Sequence, residues 1–323
     1  MPGLQTANGK AFEYACLLAL YNSLRANEDV TIEDSPQMRT ARNLYSNMPT
    51  DNQEQLLRAA NAAARVIIRL EPQLQYAQNN SPLYLSIQTD AQGMAGDVRD
   101  VLCVRRQNRW QIGLSCKHNH HAVKHSRLSD TIDFGNEWFG VSCSQQYFSE
   151  IVPLFSELRH MRDTARETGT QALWANIPDK SDRYYRPVLQ SFLDELSRLA
   201  NNNPDIPGAL VHYLIGRYDF YKVITDDRHE TTRVEAINIA GTLNRPSGQH
   251  NSIVDTPRLR LPTRFYHMGF KPGSDNTVEV VCDEGWTISM RIHNASSRIE
   301  PSLKFDVNLI SLPGSIHAQV EPW

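Results

Sequence analysis

From Val101 to Val104 the chain reads Val-Leu-Cys-Val, and from Trp110 to Lys117 apolar residues alternate with small or polar ones. A short unbroken apolar run fits a strand buried on both faces, while period-two alternation fits a strand with one buried face. Only the polar break Gln107-Asn108 separates them, so the pair predicts a hairpin and commits this part of the chain to a sheet. With Gln107-Asn108 as a two-residue loop, Asp100 faces Ser115 across the ladder. Cross-strand partners share a face, and so do residues two apart. Asp100, Ser115 and Lys117 therefore converge on one side, and Asp97 has the opposite parity.

A carboxylate and an ammonium fixed side by side on a sheet suit metal-assisted phosphodiester cleavage. The carboxylate holds Mg2+, and the lysine orients or deprotonates the attacking water. An ordinary cross-strand ion pair meets the same pattern. The flanking charges favour the first reading. Between Asp100 and Asp130 there is no acid, while Arg105, Arg106, Arg109, Lys117, Lys124 and Arg127 stand there with His118, His120, His121 and His125. The spacing predicts a helix from near Asn119, with His120, Lys124 and Arg127 on one face. A basic face without acids suggests a polyanionic partner.

Upstream, Lys10 to Leu24 reads as a helix with a wide apolar face, and Glu13 stands inside that face. A carboxylate there is either a first-turn acid favoured by the helix dipole or a placed functional group. Ser35-Pro36 opens a second helix, and Thr50 with Gln53 a third, which runs to Pro72. Leu83, Leu85 and Ile87 mark a strand. Downstream, Ile151 to Met161, Pro187 to Leu199 and Leu210 to Val223 read as helices, and Phe134 to Gly140 reads as a loop. Thr256 to Ser274 carries basic residues and prolines but no acid, as an exposed basic arm would. Val278 to Ile292 predicts a hairpin, and Leu303 to Leu309 a final strand with Lys304 outward. Arg291, His293, Asn294, Ser296 and Arg298 group polar donors on one strand and loop. Such donors either read base edges and clamp phosphates or decorate an ordinary surface.

The stretches GDVRDVLCV, GLSCKHNHHAVKHSRLSDTIDFG and RIHNASSRIEPSLKFDVNLI resemble type II restriction endonucleases of the HaeIII family, and Asp100 with Lys117 resembles the PD-(D/E)XK nuclease core. The resemblance implies an α/β fold: a PD-(D/E)XK-like mixed sheet flanked by helices, with a C-terminal β-rich part that contacts DNA. It implies a Mg2+-dependent endonuclease that cuts double-stranded DNA in the centre of the palindrome GGCC, leaving 5′-phosphate ends. A cognate methyltransferase acting on the same site follows. The tripeptide His118-Asn119-His120 does not make the ββα-metal site whose name it spells. The chain departs from the core signature at Ser115, where the second carboxylate belongs, two residues before the lysine. A neutral hydroxyl there leaves a metal ligand to come from elsewhere. Glu13 is the first candidate, and Asp97, turned inward by a bulge, is the competitor.

The 323 residues suffice for one large domain or two, and the reading divides them into a nuclease core over 1–200 and a recognition part over 201–323. The net charge of −3 does not itself announce a nucleic-acid binder, so local distribution carries that expectation. The five cysteines are scattered without a CxxC pair, which argues against a zinc site and a disulfide framework. No apolar run approaches membrane-span length and no secretory leader is evident, so the expected location is cytoplasmic, away from membranes. A palindromic target favours a two-fold homodimer, with a monomer nicking each strand in turn as the alternative. Two other classes fit the residues: a DNA-binding protein that has lost cleavage at Ser115, and one that binds DNA without sequence choice.

Overall fold

The hairpin forms in the register its turn dictates. In a computed structural model of the chain, which describes residues 4–89, 97–118 and 124–323, strand β3 (Val101–Arg105) pairs antiparallel with β4 (Trp110–His118). Val101 lies opposite Leu114 and Arg105 opposite Trp110. The Arg109 amide donates to the Arg106 carbonyl at 3.2 Å, closing the turn over Gln107-Asn108. Just before the ladder the Asp100 amide donates to the Leu114 carbonyl at 2.7 Å, so Asp100 and Val101 both stand against Leu114 where the regular pairing ends.

The chain folds as two compact units that interleave in sequence. The first comprises 1–121, 216–259 and 315–323, and the second 122–215 and 260–314. Both sheets recruit strands from distant parts of the chain. In the first unit the sheet order is β1-β2-β3-β4-β6-β7-β12, with β1 (Val30–Ile32), β2 (Leu83–Ile87), β6 (Phe220–Asp226), β7 (Thr231–Ile237) and β12 (Ala318–Pro322). The β1–β2 and β4–β6 pairs are parallel and the others antiparallel, so the sheet is mixed.

Helices α1 (Leu4–Leu24), α2 (Pro36–Ser46) and α3 (Thr50–Leu70) supply the apolar layer. Phe12, Ala15, Cys16 and Leu20 of α1, and Ala60, Ala63 and Ile67 of α3, join Leu85, Val101, Cys103, Ile112, Leu114 and Cys116 in one core. Alternation leaves the partners of those strand residues (Ser115, Lys117 and their neighbours) on the opposite face. Ser35 caps α2 as its position suggests, its hydroxyl accepting from the Met38 amide at 3.0 Å. The capping box at Thr50 does not form. Helix α3 begins after Pro49 without a side-chain cap, and Gln53 instead bonds the Met48 carbonyl at 2.8 Å.

The second unit holds an antiparallel sheet of order β5-β11-β10-β9-β8: β5 (Lys124–Leu128), β11 (Leu303–Ser311), β10 (Thr287–His293), β9 (Thr277–Cys282) and β8 (Phe265–Phe270). Its helices span Phe134–Phe139, Gln145–Glu167, Arg186–Asn202 and Ile206–Ile215. Phe134 anchors their core, with its ring centroid 4.9 Å from Phe192 and 5.2 Å from both Trp138 and Tyr147.

Four expectations are corrected here. The basic helix is not formed, since Lys124 to Leu128 is the edge strand β5 paired with β11; Asn119 and His120 lie outside the described residues. The helix expected from Leu210 to Val223 stops at Ile215, and Phe220 onward enters the sheet as β6. Phe134 to Phe139 is a short helix ended by Gly140 at φ 70°. The segment after Thr256 is no free arm. Leu259 is buried, Arg258 Nε donates to the Ile239 carbonyl at 2.5 Å, and Phe265 to Phe270 is a sheet strand.

Candidate active site

Strand β4 outruns β3, which leaves the Cys116 amide without a strand partner on that side. The Asp100 carboxylate takes its place: Oδ2 accepts from the Cys116 amide at 2.6 Å and lies 3.5 Å from Lys117 Nζ. Asp100 thereby closes the ladder and sets a negative charge beside the lysine. The Lys117 side chain is 16 % exposed and that of Asp100 25 %, enough to meet a ligand at the strand end while limiting solvent screening.

Burial pulls the Lys117 pKa down, but the negative charges of Asp100 and Glu13 and the hydrogen bond that Lys117 donates to Asp100 outweigh it, and the net shift is upward. Lys117 is therefore an ammonium at neutral pH. It can hold charge at a phosphate; it is poorly suited to take a proton from water. Glu13, half-buried on α1, acts on both Lys117 and Cys116, so helix and hairpin bring Asp100, Lys117 and Glu13 into one electrostatic neighbourhood. The Cys116 thiol is pushed up by its hydrogen bond with Cys16 and by burial, which makes it an inert core group.

Asp97 is turned elsewhere. Its Oδ1 and Oδ2 accept from Arg99 Nε at 2.8 Å and Nη2 at 2.6 Å, a bidentate pair. The buried Arg99 guanidinium also lies 4.0 Å from the Tyr218 ring centroid. Its stem crosses Gly113, where a Cβ would meet Arg99 Cδ at 2.2 Å. The glycine in the strand alternation was the sequence signal for this arginine, and it was not read as one. Ser115 is 2 % exposed and offers only its hydroxyl. His118 Nε2 lies 3.1 Å from Asp227 Oδ2, at the last residue of β4.

Among the described residues no group of three or more His, Cys, Asp and Glu side chains is placed to enclose a metal. The donors that are present, Asp100 and Glu13, still fit a Mg2+ site, because that ion keeps several waters and takes one or two carboxylates together with substrate phosphate. Asp100 Oδ2 makes the contacts to the Cys116 amide and to Lys117.

The second unit carries most of the expected DNA-contacting residues. Arg291 and Arg298 are exposed. The loop bearing Arg298 is braced by a bridge between Leu173 and Arg298, with the Trp174 amide donating to the Ser297 carbonyl at 3.0 Å and the Ile299 amide to the Ala172 carbonyl at 2.9 Å. Asn294 is largely spent on this loop: Oδ1 accepts from Tyr185 Oη at 3.2 Å and Nδ2 donates to the Ser296 carbonyl at 2.6 Å. Ser296 Oγ accepts from the Arg298 amide at 3.2 Å. His293 Nε2 lies 2.8 Å from Asp306, Lys304 Nζ 3.6 Å from the same acid, and Arg127 Nη1 2.9 Å from Glu300. Lys124 and His125 lie on β5 opposite Val307 and Asp306 in backbone register, and the structure describes no more of them.

A mixed sheet flanked by helices, with an aspartate and a lysine converging at the end of a central hairpin, is an α/β nuclease arrangement. The model of the HaeIII restriction endonuclease family matches residues 9–313, and the chain belongs to that family. The type II restriction enzyme HaeIII of Haemophilus aegyptius is 40 % identical to it over 318 residues, covering 98 % of this chain and 97 % of the relative. No solved structure matches the chain. Membership makes this a restriction nuclease, an endodeoxyribonuclease of sequence-specific action. Among the described residues no helix is long and apolar enough to cross a membrane.

Proposed function

We propose that the chain is a Mg2+-dependent type II restriction endonuclease that cleaves double-stranded DNA at GGCC, between the central G and C, leaving 5′-phosphate ends. Asp100, Glu13 and Lys117 form its cleavage site. The observation that carries this reading is the Asp100–Lys117 approach of 3.5 Å at the exposed end of a buried hairpin, with Glu13 acting on the same lysine. Asp100 and Glu13 hold the cation, with Asp100 oriented by the Cys116 amide. When bound, Mg2+ supplies a Lewis acid beside the scissile phosphate. Lys117 stays charged and steadies the developing negative charge on the phosphoryl oxygens. Asp97 serves Arg99 and the strand start. Arg291 and Arg298 contact base edges or phosphates, with the Asn294–Ser296 turn fixing the loop. The implied GGCC target is palindromic, which favours a homodimer acting beside a methyltransferase that protects the same sequence.

Digestion of DNA of known sequence with Mg2+, followed by mapping of the ends, tests this. Discrete fragments ending in GG and CC support it; a smear, or ends elsewhere, defeats the assigned specificity. The metal assignment is tested by Glu13→Gln. Retained binding of cognate DNA, with cleavage lost or shifted to higher Mg2+, is expected. Full activity at ordinary Mg2+ would return Glu13 to the role of a helix-start acid.

A further inference from the structure

Register places a second lysine on the face that carries the cleavage residues. Ser115 on β4 pairs with Lys222 on the parallel neighbour β6, and Lys222 pairs with Glu235 on β7. Ser115, Lys222 and Glu235 thus form one row across three adjacent strands, and Asp100, just before the β3–β4 ladder, sets its Oδ2 on the next amide of β4, that of Cys116. Side chains in such a row share a face, with neighbouring strands about 4.8 Å apart. Lys222 is 5 % exposed, Ser115 2 % and Glu235 6 %, so all three are buried polar groups on the side away from the apolar core. A buried lysine is rare unless a local charge requires it.

We propose that Lys222 is a positioning residue for DNA cleavage, a fixed cation that holds the Lys117 ammonium at the Asp100 end of β4. This rests on the assignment of Asp100 and Lys117 above. The forces on Lys117 are opposed. Asp100 and Glu13 attract it, and Lys222, one row back on the next strand, repels it. Glu235 lies beyond Lys222, with Arg233 Nε 2.7 Å from its Oε1. Arg233 already offsets much of the Glu235 charge, and a charged Lys222 screens the remaining potential from Lys117. With Lys222 neutral, that potential draws the ammonium back along the sheet and away from the strand end where a phosphate would lie. Ser115 contributes no charge, so the row reads neutral, plus, minus, and Lys222 is its only cation. Burial lowers the Lys222 pKa, with Lys117 and Arg233 adding to that and Glu235 opposing it.

Lys222→Met removes the charge and keeps a stem of similar shape. Misplacing a reacting group by about an ångström costs on the order of a hundredfold in rate, so kcat is expected to fall by roughly tenfold to a hundredfold. KM, and cognate DNA binding measured with Ca2+ in place of Mg2+, should stay within about twofold, because no phosphate contact is removed. Lys222→Arg keeps the charge and should recover most of the rate. In Lys222→Met with Glu235→Gln the backward pull is gone too, and kcat should rise above that of Lys222→Met alone. A wild-type kcat in Lys222→Met overturns the proposal. So does equal loss in the Met and Arg variants with no recovery in the double variant, which would make Lys222 a packing residue. If Lys222→Met fails to fold, the double variant, which leaves no unbalanced buried acid, is compared with Glu235→Gln alone, and equal kcat values there overturn the proposal. Lys117→Ala separates the two levels: if it still cuts, the assigned site is wrong. A dead Lys117→Ala beside a fully active Lys222→Met removes only the role of Lys222.

Discussion

Glu71, at the C-terminal end of α3, lies inside the first unit with no exposed surface. Its Oε1 accepts from Tyr221 Oη and from the Asn244 amide, each at 2.7 Å, and Oε2 has no partner among the described residues. Burial drives its pKa up from 4.5 to about 7, against the lowering effect of Asn244, Tyr221 and Arg245. Between those values the folded state binds more protons at Glu71 than the unfolded state does, so this group's contribution to stability falls as pH rises. A shift of one pKa unit corresponds to about 1.36 kcal/mol, which gives a full penalty of about 3 kcal/mol above the folded pKa and about 2.5 kcal/mol of change between pH 5 and pH 8. Glu71→Gln has no charge to bury. Its amide leaves an unpaired buried donor, a cost independent of pH, so the comparison is a double difference. Urea unfolding of both proteins at pH 5 and pH 8 should show Glu71→Gln gaining on the wild type by about 2.5 kcal/mol on going to the higher pH. Parallel stability curves would refute the reasoning, because they would mean that Glu71 enters the folded core without retaining its proton.

Lys117→Ala and Asp100→Asn are each expected to abolish cutting while cognate DNA binding persists, read by plasmid cleavage and by gel shift with Ca2+. Asn at 100 can still accept from the Cys116 amide but leaves Lys117 without its counter-charge. Gly113→Ala should destabilise the fold by about 1–3 kcal/mol, since its Cβ would meet the buried Arg99 stem at 2.2 Å; an unchanged urea midpoint would show that Arg99 can swing aside. Arg291→Ala and Arg298→Ala should each weaken cognate binding by about 1–3 kcal/mol where they make a bidentate base contact. Equal loss on random duplex would make the residue a phosphate contact. Arg127→Ala should weaken binding to all duplexes alike and flatten the salt dependence.

The hairpin was legible because two independent signals agreed. Alternation fixed the faces, and the short Gln107-Asn108 turn fixed the register, so the pairing of Val101 with Leu114 through Arg105 with Trp110 followed before any coordinates. Glu13 stood out as a lone acid on a wide apolar helical face. Strand β6 was misread for the opposite reason. Leu210 to Ile215 and Phe220 to Val223 are both rich in apolar residues, and a strand buried on both faces has no alternation to separate it from a buried helix. Lys222 disappeared into that run. The basic stretch failed through brevity: over five residues, Lys124, Ser126 and Leu128 alternate as well as a helical spacing fits, and pairing with β11 decides between them. The interleaving of the two units left no mark in composition, because long-range strand order is set by packing in three dimensions.

Two aspartates three residues apart were candidates for one metal, and their backbones separate them. Asp100 stands where β3 enters its ladder with β4, so its side chain has a fixed direction and an amide to orient it, that of Cys116 at 2.6 Å. Asp97 precedes the strand, where parity does not yet bind it, and a bulge could in principle have turned it inward. The structure gives it a stronger partner: Arg99 cannot be buried against Gly113 without a counter-charge, and Asp97 is the carboxylate that meets it. Leaving a guanidinium unpaired at that depth would cost several kcal/mol. Recruiting Asp97 to a cation would therefore mean breaking a buried bidentate pair to gain one ligand. The charge of Glu13, by contrast, acts on Lys117. In the proposed site the second carboxylate therefore comes from α1, while Asp97 stays paired with Arg99 ahead of β3.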